Sequence, residues 1–192
     1  GRKATVTGDW NAAIFTSKAQ DAAVTSYDMT NVVQLSEQPV AANENALFFT
    51  AAPIEGSANV VANGVCDSLL IHTRSEFASA KAFTARKAVL VLDDAKAGEW
   101  NDVFMPFSAP LPYGMQGRVV NTIERSRLTV SNVREAEAMK PLLYLADREG
   151  LNTIEATDVA LCTDTVGSLV DGFWKGSTLK TSLSRQASLL KT

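Results

Sequence analysis

The single histidine of this 192-residue chain, His72, is the first candidate for chemistry. His72 lies two residues after the apolar centre Leu70, and Asp93 lies two residues after a similar centre, Val91. If these segments form neighbouring strands, the two side chains lie about 4.8 Å apart, which is the usual spacing between strands. A histidine paired with a carboxylate is half of a catalytic triad.

The nucleophile that would complete such a triad is missing from the sequence. No Gly-x-Ser-x-Gly motif occurs, no serine lies at the same place in the pattern, and Thr50, one repeat earlier, is a poor substitute. We therefore predict no catalytic residue. We expect His72 and Asp93 to form a satisfied polar pair at the end of a buried strand, or His72 to be exposed.

The other ionisable residues give no stronger candidate for an active site or a metal site. A glycosidase needs two carboxyl groups about 5–10 Å apart, but Asp93 and Asp94 are adjacent and point to opposite faces of a strand. Glu135 and Glu137 are typical of a solvated edge. One histidine and two distant cysteines cannot form a zinc site, and no glycine-rich phosphate loop occurs. We predict no metal and no cofactor.

Three aromatic residues, Trp100, Tyr113 and Trp174, are the candidate ligand-binding residues. Tryptophan is rarely fully buried, and these rings, with Trp10, could form a platform on which a sugar stacks. Tyr113 lies in the segment PLPYGMQG, where proline and glycine favour a projecting turn. Each tryptophan also lies at an element boundary, where closing the core is the competing role.

The positions of these residues depend on a repeat of about twenty-one residues. Four apolar segments have their centres at Tyr27, Phe48, Leu70 and Val91, at spacings of 21, 22 and 21 residues. A regular step of this length is typical of a parallel β-solenoid, in which each turn adds one strand to a sheet. The dipeptide Asn63-Gly64 leaves a second interpretation open, a local hairpin with the preceding ANVVA.

A helix is expected before the first of these strands. Asp9 can cap its N-terminus, and the segment WNAAIFTSKAQDAA places Trp10, Ala13 and Ile14 near one face. A helix followed by a strand is similar to one turn of a leucine-rich repeat. We expect no earlier turn before it.

The pattern changes near residue 96. Pro106, Pro110 and Pro112 exclude a central strand in that region, and short β-type segments then recur about every ten residues, as in an antiparallel sandwich or barrel. The segment VREAEAMKP could add one helical turn. The sequence thus predicts a mainly β protein, with a short parallel solenoid and one helix in residues 1–96 and an antiparallel, β-sandwich-like module in residues 97–192.

The charge and the apolar segments of the chain limit the partners that it is expected to bind. The net charge of −3 and the scattered lysines and arginines argue against nucleic acid, and no apolar segment reaches the ~20 residues of a transmembrane helix. A chain that begins with Gly1 is expected to have lost a leader, which is compatible with export. Cys66 and Cys162 are expected to be buried free thiols, with a single disulfide left open.

A series of segments resembles a family of secreted or surface proteins of the Bacteroides and Prevotella type. In order along the chain these are TVTGDWNAAIF, VTSYDMTNV, AANENALFFTA, NVVANGVCDSLLI, FTARKAVLVL, WNDVFMPFSAPL, EAEAMKPLLYLA and DGFWKGSTL. In that family a leucine-rich-repeat-like or solenoid segment leads into a β-rich module. Phe104 stands where the family often has cysteine. The resemblance implies an extracellular or cell-surface location and a binding or structural module, and it carries over no catalytic residue.

Two functions from different classes follow from these observations. We expect a non-catalytic exported surface module for adhesion, assembly or display, with a glycan or protein ligand at the cell surface. The alternative is a carbohydrate-binding or glycan-active domain, such as a glycoside hydrolase. An enzyme needs a concave site with converging ionisable groups, whereas an adhesive module needs only an exposed apolar or aromatic patch.

Overall fold

A computed structural model describes residues 2–8, 21–32, 38–124, 127–169 and 174–179. Within these ranges the chain is mainly β and contains no helix. The helix expected after Asp9 lies outside the described residues, except that Ala22 and Ala23 at its end form a turn. No helix in the described part is long and apolar enough to cross a membrane.

The strands of the described residues are distributed along the whole chain. They are β1 (Arg2–Gly8), β2 (Val24–Val32), β3 (Leu47–Thr50), β4 (Val60–Ala62), β5 (Val65–His72), β6 (Phe83–Val91), β7 (Trp100–Phe104), β8 (Ala109–Pro110), β9 (Met115–Glu124), β10 (Arg127–Val133), β11 (Glu135–Ala136), β12 (Pro141–Ala146), β13 (Thr153–Leu161), β14 (Val166–Leu169) and β15 (Trp174–Ser177). The larger sheet has the order β1-β2-β3-β4-β5-β6-β13.

Strands β1 to β4 pair in parallel and form a β-solenoid-like region of about three turns. Tyr27 lies opposite Phe48, as the repeat predicts, and their rings stack with centroids 5.4 Å apart. Strand β1 corrects the expectation that no turn precedes the helix. Lys3 and Thr5, two residues apart on this strand, are both exposed, as expected for a strand with one face in solvent.

The repeat is interrupted between β3 and β5, where the short strand β4 intervenes. It runs parallel to β3 and antiparallel to β5. Asn63 and Gly64 connect β4 to β5 with φ angles of 51° and 77°, as a two-residue hairpin requires. The hairpin interpretation is therefore correct, and an uninterrupted stack of the four predicted segments is wrong.

Strands β5 and β6 resume the parallel pairing, but their register differs from the predicted one by two residues. Leu70 lies opposite Val89, and His72 lies opposite Val91. The repeat therefore predicts that β5 and β6 are neighbours in the sheet, but it does not predict which of their residues face each other.

Two buried asparagine side chains continue the hydrogen bonding of β5 beyond Val60, the first residue of the three-residue strand β4. Asn59 accepts from the backbone N–H of Leu70 at 2.7 Å and donates to its carbonyl at 2.9 Å. Asn45 makes the same pair of bonds with His72, at 2.7 and 2.8 Å. Each amide thus replaces one residue of a neighbouring strand.

The smaller sheet is antiparallel throughout and has the order β10-β9-β12-β7. Two further antiparallel pairs, β8 with β11 and β14 with β15, lie outside it. The prolines behave as expected, since Pro106 and Pro112 lie outside strands and Pro110 ends the two-residue strand β8. The segment VREAEAMKP contains β11 and a turn, so the predicted helical turn is wrong there.

Strand β13 follows β12 of the smaller sheet along the chain but pairs antiparallel with β6, at the edge of the larger sheet. One apolar cluster accordingly joins both sheets; Leu69, Leu90 and Ile154 come from the larger sheet, and Leu142 and Tyr144 from the smaller. Residues from both 1–96 and 97–192 thus bury one core, and the division near residue 96 stays a prediction.

The two cysteines are both free thiols. Cys66 is buried on β5, and burial raises the pKa of its thiol to about 11. Cys162 is exposed, which corrects the expectation of two buried thiols. It directly follows Leu161, whose buried side chain faces the core, and successive side chains of an extended chain point in opposite directions.

Removal of the Asn45 amide tests whether the side chain supports β5. We expect Asn45→Ala to lower the free energy of unfolding by about 2–3 kcal/mol, because the N–H and C=O of His72 lose their partners. Asn152→Ala, at an exposed position before β13, is the control and should change it by less than about 0.5 kcal/mol. Urea unfolding measures both, and similar values for the two variants would contradict the proposed support.

Candidate functional site

The structure brings His72 and Asp93 together at the ends of β5 and β6. Nδ1 of His72 lies 3.0 Å from Oδ1 of Asp93, and both side chains are largely buried. Val91, not Asp93, is the strand partner of His72. The carboxylate therefore reaches the imidazole from the loop that follows β6.

Asp93 also holds the turn that follows β5. Its Oδ2 accepts from the backbone N–H of Arg74 at 3.1 Å and from the hydroxyl of Thr73 at 3.4 Å. Burial raises the pKa of Asp93, but the bonds from His72 and the Arg74 N–H, together with the nearby positive charges, hold it below its usual value. The carboxylate is thus an anion fixed by backbone and side-chain donors.

A second carboxylate, Glu44, completes this group, which we call the His72 cluster (Glu44, His72, Arg74 and Asp93). The guanidinium of Arg74 donates to the two oxygens of Glu44 at 2.7 and 2.5 Å. Ser75 donates to one of them at 2.6 Å. The bonds from Arg74 are the largest cause that lowers the pKa of Glu44 to about 2, and Ser75 adds to them against the effect of burial.

The contacts of the His72 cluster determine what chemistry it can do. The hydroxyls of Thr73 and Ser75 bond to Asp93 and Glu44 respectively, and no hydroxyl of the described residues contacts the imidazole of His72. A triad needs a nucleophile in hydrogen-bond contact with its histidine. The hydrogen bonds of the cluster fasten the turn after β5.

A cleft of about 280 Å³ lies directly beside this cluster. Its lining consists of Thr73, Leu92, Asp94, Asn101, Asp102 and Tyr144. Asp93 and Asp94 thus serve different places, the cluster and the cleft, although they are adjacent residues of the turn that follows β6. The cleft is formed jointly by the two sheets, because Leu92 follows β6 and Tyr144 belongs to β12.

The phenol of Tyr144 is the buried polar group of the cleft. Only 3% of the residue is exposed. Burial is the main cause that raises its pKa to about 12, and the charges of Asp102 and Asp94 add to the effect. The hydroxyl therefore stays neutral and protonated at ordinary pH.

The predicted aromatic residues do not meet as one group in the described structure. Trp100 begins β7, opposite Leu145, and Tyr113 precedes Met115, which lies opposite Ala146; both therefore belong to one end of the smaller sheet. Strand β15, which contains Trp174, lies against the other end, where Gly176 approaches Phe104. The side chain of Trp174 and all of Trp10 lie outside the described residues.

Trp100 and Tyr113 differ in how free their rings are. Trp100 is 39% exposed, and the guanidinium of Arg118 lies 4.3 Å from its ring centroid, so a cation–π contact already occupies one face. Tyr113 is 92% exposed. Of the two, Tyr113 offers the more accessible ring.

The charged side chains of the other cleft already pair with each other. A second cleft, of about 340 Å³, contains Lys87 and Glu155, which pair with each other at 3.2 Å. Within the described ranges, no group of three or more histidine, cysteine, aspartate or glutamate side chains could hold a metal ion.

Sequence reasoning missed the residues that build this region. Asn45 and Asn59 lie in turn-like segments where asparagine is common, and their burial has no local signal. Tyr144, in contrast, has a local signal in the sequence. The alternation in PLLYLA places Tyr144 on the buried face with Leu142, and a buried phenol normally needs a polar neighbour. That signal predicts a polar site behind β12 without naming its other residues.

No family model matches the chain, and neither the curated proteins nor the solved structures contain a significant match.

The pH dependence of stability tests the contribution of Glu44. Because its folded-state pKa of about 2 is below the unfolded value, its stabilisation is complete above about pH 4.5 and is lost as the pH falls towards 2. We expect Glu44→Gln to lower the urea midpoint at neutral pH and to differ little from the parent near pH 2. The exposed Glu149→Gln is the control, and an undiminished difference in acid would contradict the assignment.

Proposed function

We propose that the protein is a non-catalytic exported surface module for adhesion, assembly or display, with a glycan or protein at the cell surface as its partner. In the architecture we propose for it, an N-terminal helix and a short solenoid are joined to a sandwich-like C-terminal half. The extracellular or cell-surface location rests on the family resemblance of the sequence.

The observation that carries this proposal is the exposed ring of Tyr113 on a well-fastened turn. Met115 N–H donates to the carbonyl of Pro112 at 3.0 Å, and Asp147 N–H donates to that of Gly114 at 2.9 Å. Gly114 has a φ of 89°, and an added Cβ would lie 2.5 Å from an Asp147 oxygen. An aromatic side chain on a fixed turn binds at low entropic cost, since it has few rotamers to lose.

The His72 cluster supports the non-catalytic part of the proposal. Its two carboxylates are each bonded to groups of the turn after β5, through Arg74 and Ser75 or through the backbone of Arg74. General acid–base chemistry needs a group that can reach a substrate and change its protonation state. A carboxylate already fixed by several donors in the fold is poorly suited to that role.

A carbohydrate-binding or glycan-active domain is the second candidate, favoured by a specific juxtaposition. The cleft that contains Asp94 and Asp102 borders the end of the smaller sheet where Trp100 begins β7. Sugars are recognised by aromatic stacking combined with carboxylate acceptors, and glycosidases use two carboxyl groups across one cleft. The cation–π contact of Arg118 on Trp100 counts against stacking on that face of the ring.

Binding of the labelled protein to a glycan panel and to intact bacterial cells separates the candidates. For the adhesive module we expect binding to cells that Tyr113→Ala weakens by about tenfold, since central aromatic contacts typically cost this much or more. Val40→Ala, at another exposed apolar position, is the control and should bind as the parent does.

Each of the two candidate functions is contradicted by a different result of these binding assays. Glycan binding lost in both Trp100→Ala and Tyr113→Ala would favour the carbohydrate-binding candidate. Hydrolysis of a bound glycan that is abolished by Asp102→Asn would overturn the non-catalytic assignment. Cell binding unaffected by Tyr113→Ala would remove the observation on which the leading proposal rests.

A further inference from the structure

The cleft beside the His72 cluster contains two carboxylates that lack a positive partner. Among the described residues, neither Asp94 nor Asp102 forms an ion pair, and the lining of the cleft includes no lysine, arginine or histidine. Arg74 is occupied by Glu44 and Asp93. The cleft therefore holds a local negative charge that the fold itself does not neutralise.

The hydroxyl of Tyr144 is an independent sign that the cleft is built for a ligand. The ring packs in the main apolar cluster, and the residue lines the cleft although it is only 3% exposed. No described residue forms a hydrogen bond with this hydroxyl. The oxygen is not sealed from solvent, so it opens to the cleft and is available to a bound molecule.

We propose that this cleft binds an organic cation, namely a primary ammonium or guanidinium group carried on a short aliphatic chain. The two carboxylates would neutralise the charge, and the Tyr144 oxygen would accept a further hydrogen bond. Leu92 offers an apolar contact for the methylene groups, which basic side chains bury while their charged ends stay polar.

The number and kind of acceptors fit this ligand better than a metal ion. An ammonium group has three donors, and the cleft offers two carboxylates and a phenol oxygen. Calcium prefers six to eight oxygen ligands. The raised pKa of Tyr144, caused by burial and then by Asp102 and Asp94, keeps the phenol neutral beside these charges. A volume of about 280 Å³ suits one amine-bearing chain, since larger ligands occupy roughly 300–1,000 Å³.

An NMR titration of the ¹⁵N-labelled chain at low salt tests the site directly. The probes are N-acetyl-lysinamide, 1,4-diaminobutane, the neutral analogue N-acetyl-norleucinamide and calcium chloride. We expect both amines to shift the amide signals of residues 92–94 and 101–102, and the neutral analogue to leave them unchanged. Salt at about 1 M, where the Debye length is about 3 Å, should weaken amine binding.

Variants of the lining residues separate recognition from general charge. Asp94→Asn with Asp102→Asn should weaken binding of the amines by about tenfold or more, as expected when charge partners are removed. Asp164→Asn, an exposed aspartate outside the cleft, should have no effect. Tyr144→Phe should weaken binding about two- to fivefold, the effect of one hydrogen bond. Both aspartates are exposed, so the double variant should fold, and its circular dichroism spectrum checks this.

The titration also shows whether the bound cation belongs to a protein side chain or to a free amine. Other results of the same titration would overturn the proposal. Tighter binding of a lysine-containing peptide than of the diamine would assign the site to a protein side chain, and the reverse to a free amine. Calcium shifting these signals without the amines, equal binding of the neutral analogue, or unchanged binding in the double aspartate variant would each overturn the proposal. Tyr113→Ala should leave amine binding intact, so this result is independent of the adhesion assay.

Discussion

Strand β5 needs a hydrogen-bond partner along its whole length, and the side chains of Asn45 and Asn59 provide it beyond the first residue of β4. The strand lies inside the larger sheet, with β6 on its other side, so unpaired backbone groups there would be costly. Replacing a strand by two amides lets the chain shorten β4 to three residues and still fix His72. The position of the turn after β5 follows from this constraint, and the His72 cluster follows from that turn.

The charges near the turn are divided between two uses. Glu44 and Asp93 pair with Arg74, His72 and backbone donors, and this network fastens the turn after β5. Asp94 is the next residue after Asp93, yet it faces the cleft and takes no part in the network. Two adjacent aspartates therefore have separate environments, one in which the negative charge is compensated within the fold and one in which it is not.

Particular elements show how much the sequence could predict. The Tyr27–Phe48 register follows from the repeat, and strands such as β10 occur in the region after residue 96 where short β-type segments are predicted, because apolar spacing and alternation are local properties. The nearness of His72 and Asp93 also followed, despite a two-residue difference in strand register. The partner of β13 could not be predicted, since its pairing with β6 depends on which edge remains open after the rest of the core has formed. The hydrogen bonds of Asn45 and Asn59 to β5, and the cleft that Tyr144 lines, likewise depend on contacts between residues far apart in the chain.

The pairing of β13 with β6 has a consequence for any attempt to divide the chain. A fragment that stops near residue 96 would leave one edge of β6 bare, with buried residues such as Phe83 and Leu90 beside it. Open edges of this kind readily recruit strands from other molecules, so such a fragment would tend to self-associate. In the intact chain, β13 covers this edge of β6 and adds the buried side chains of Ile154 and Leu161 to the core.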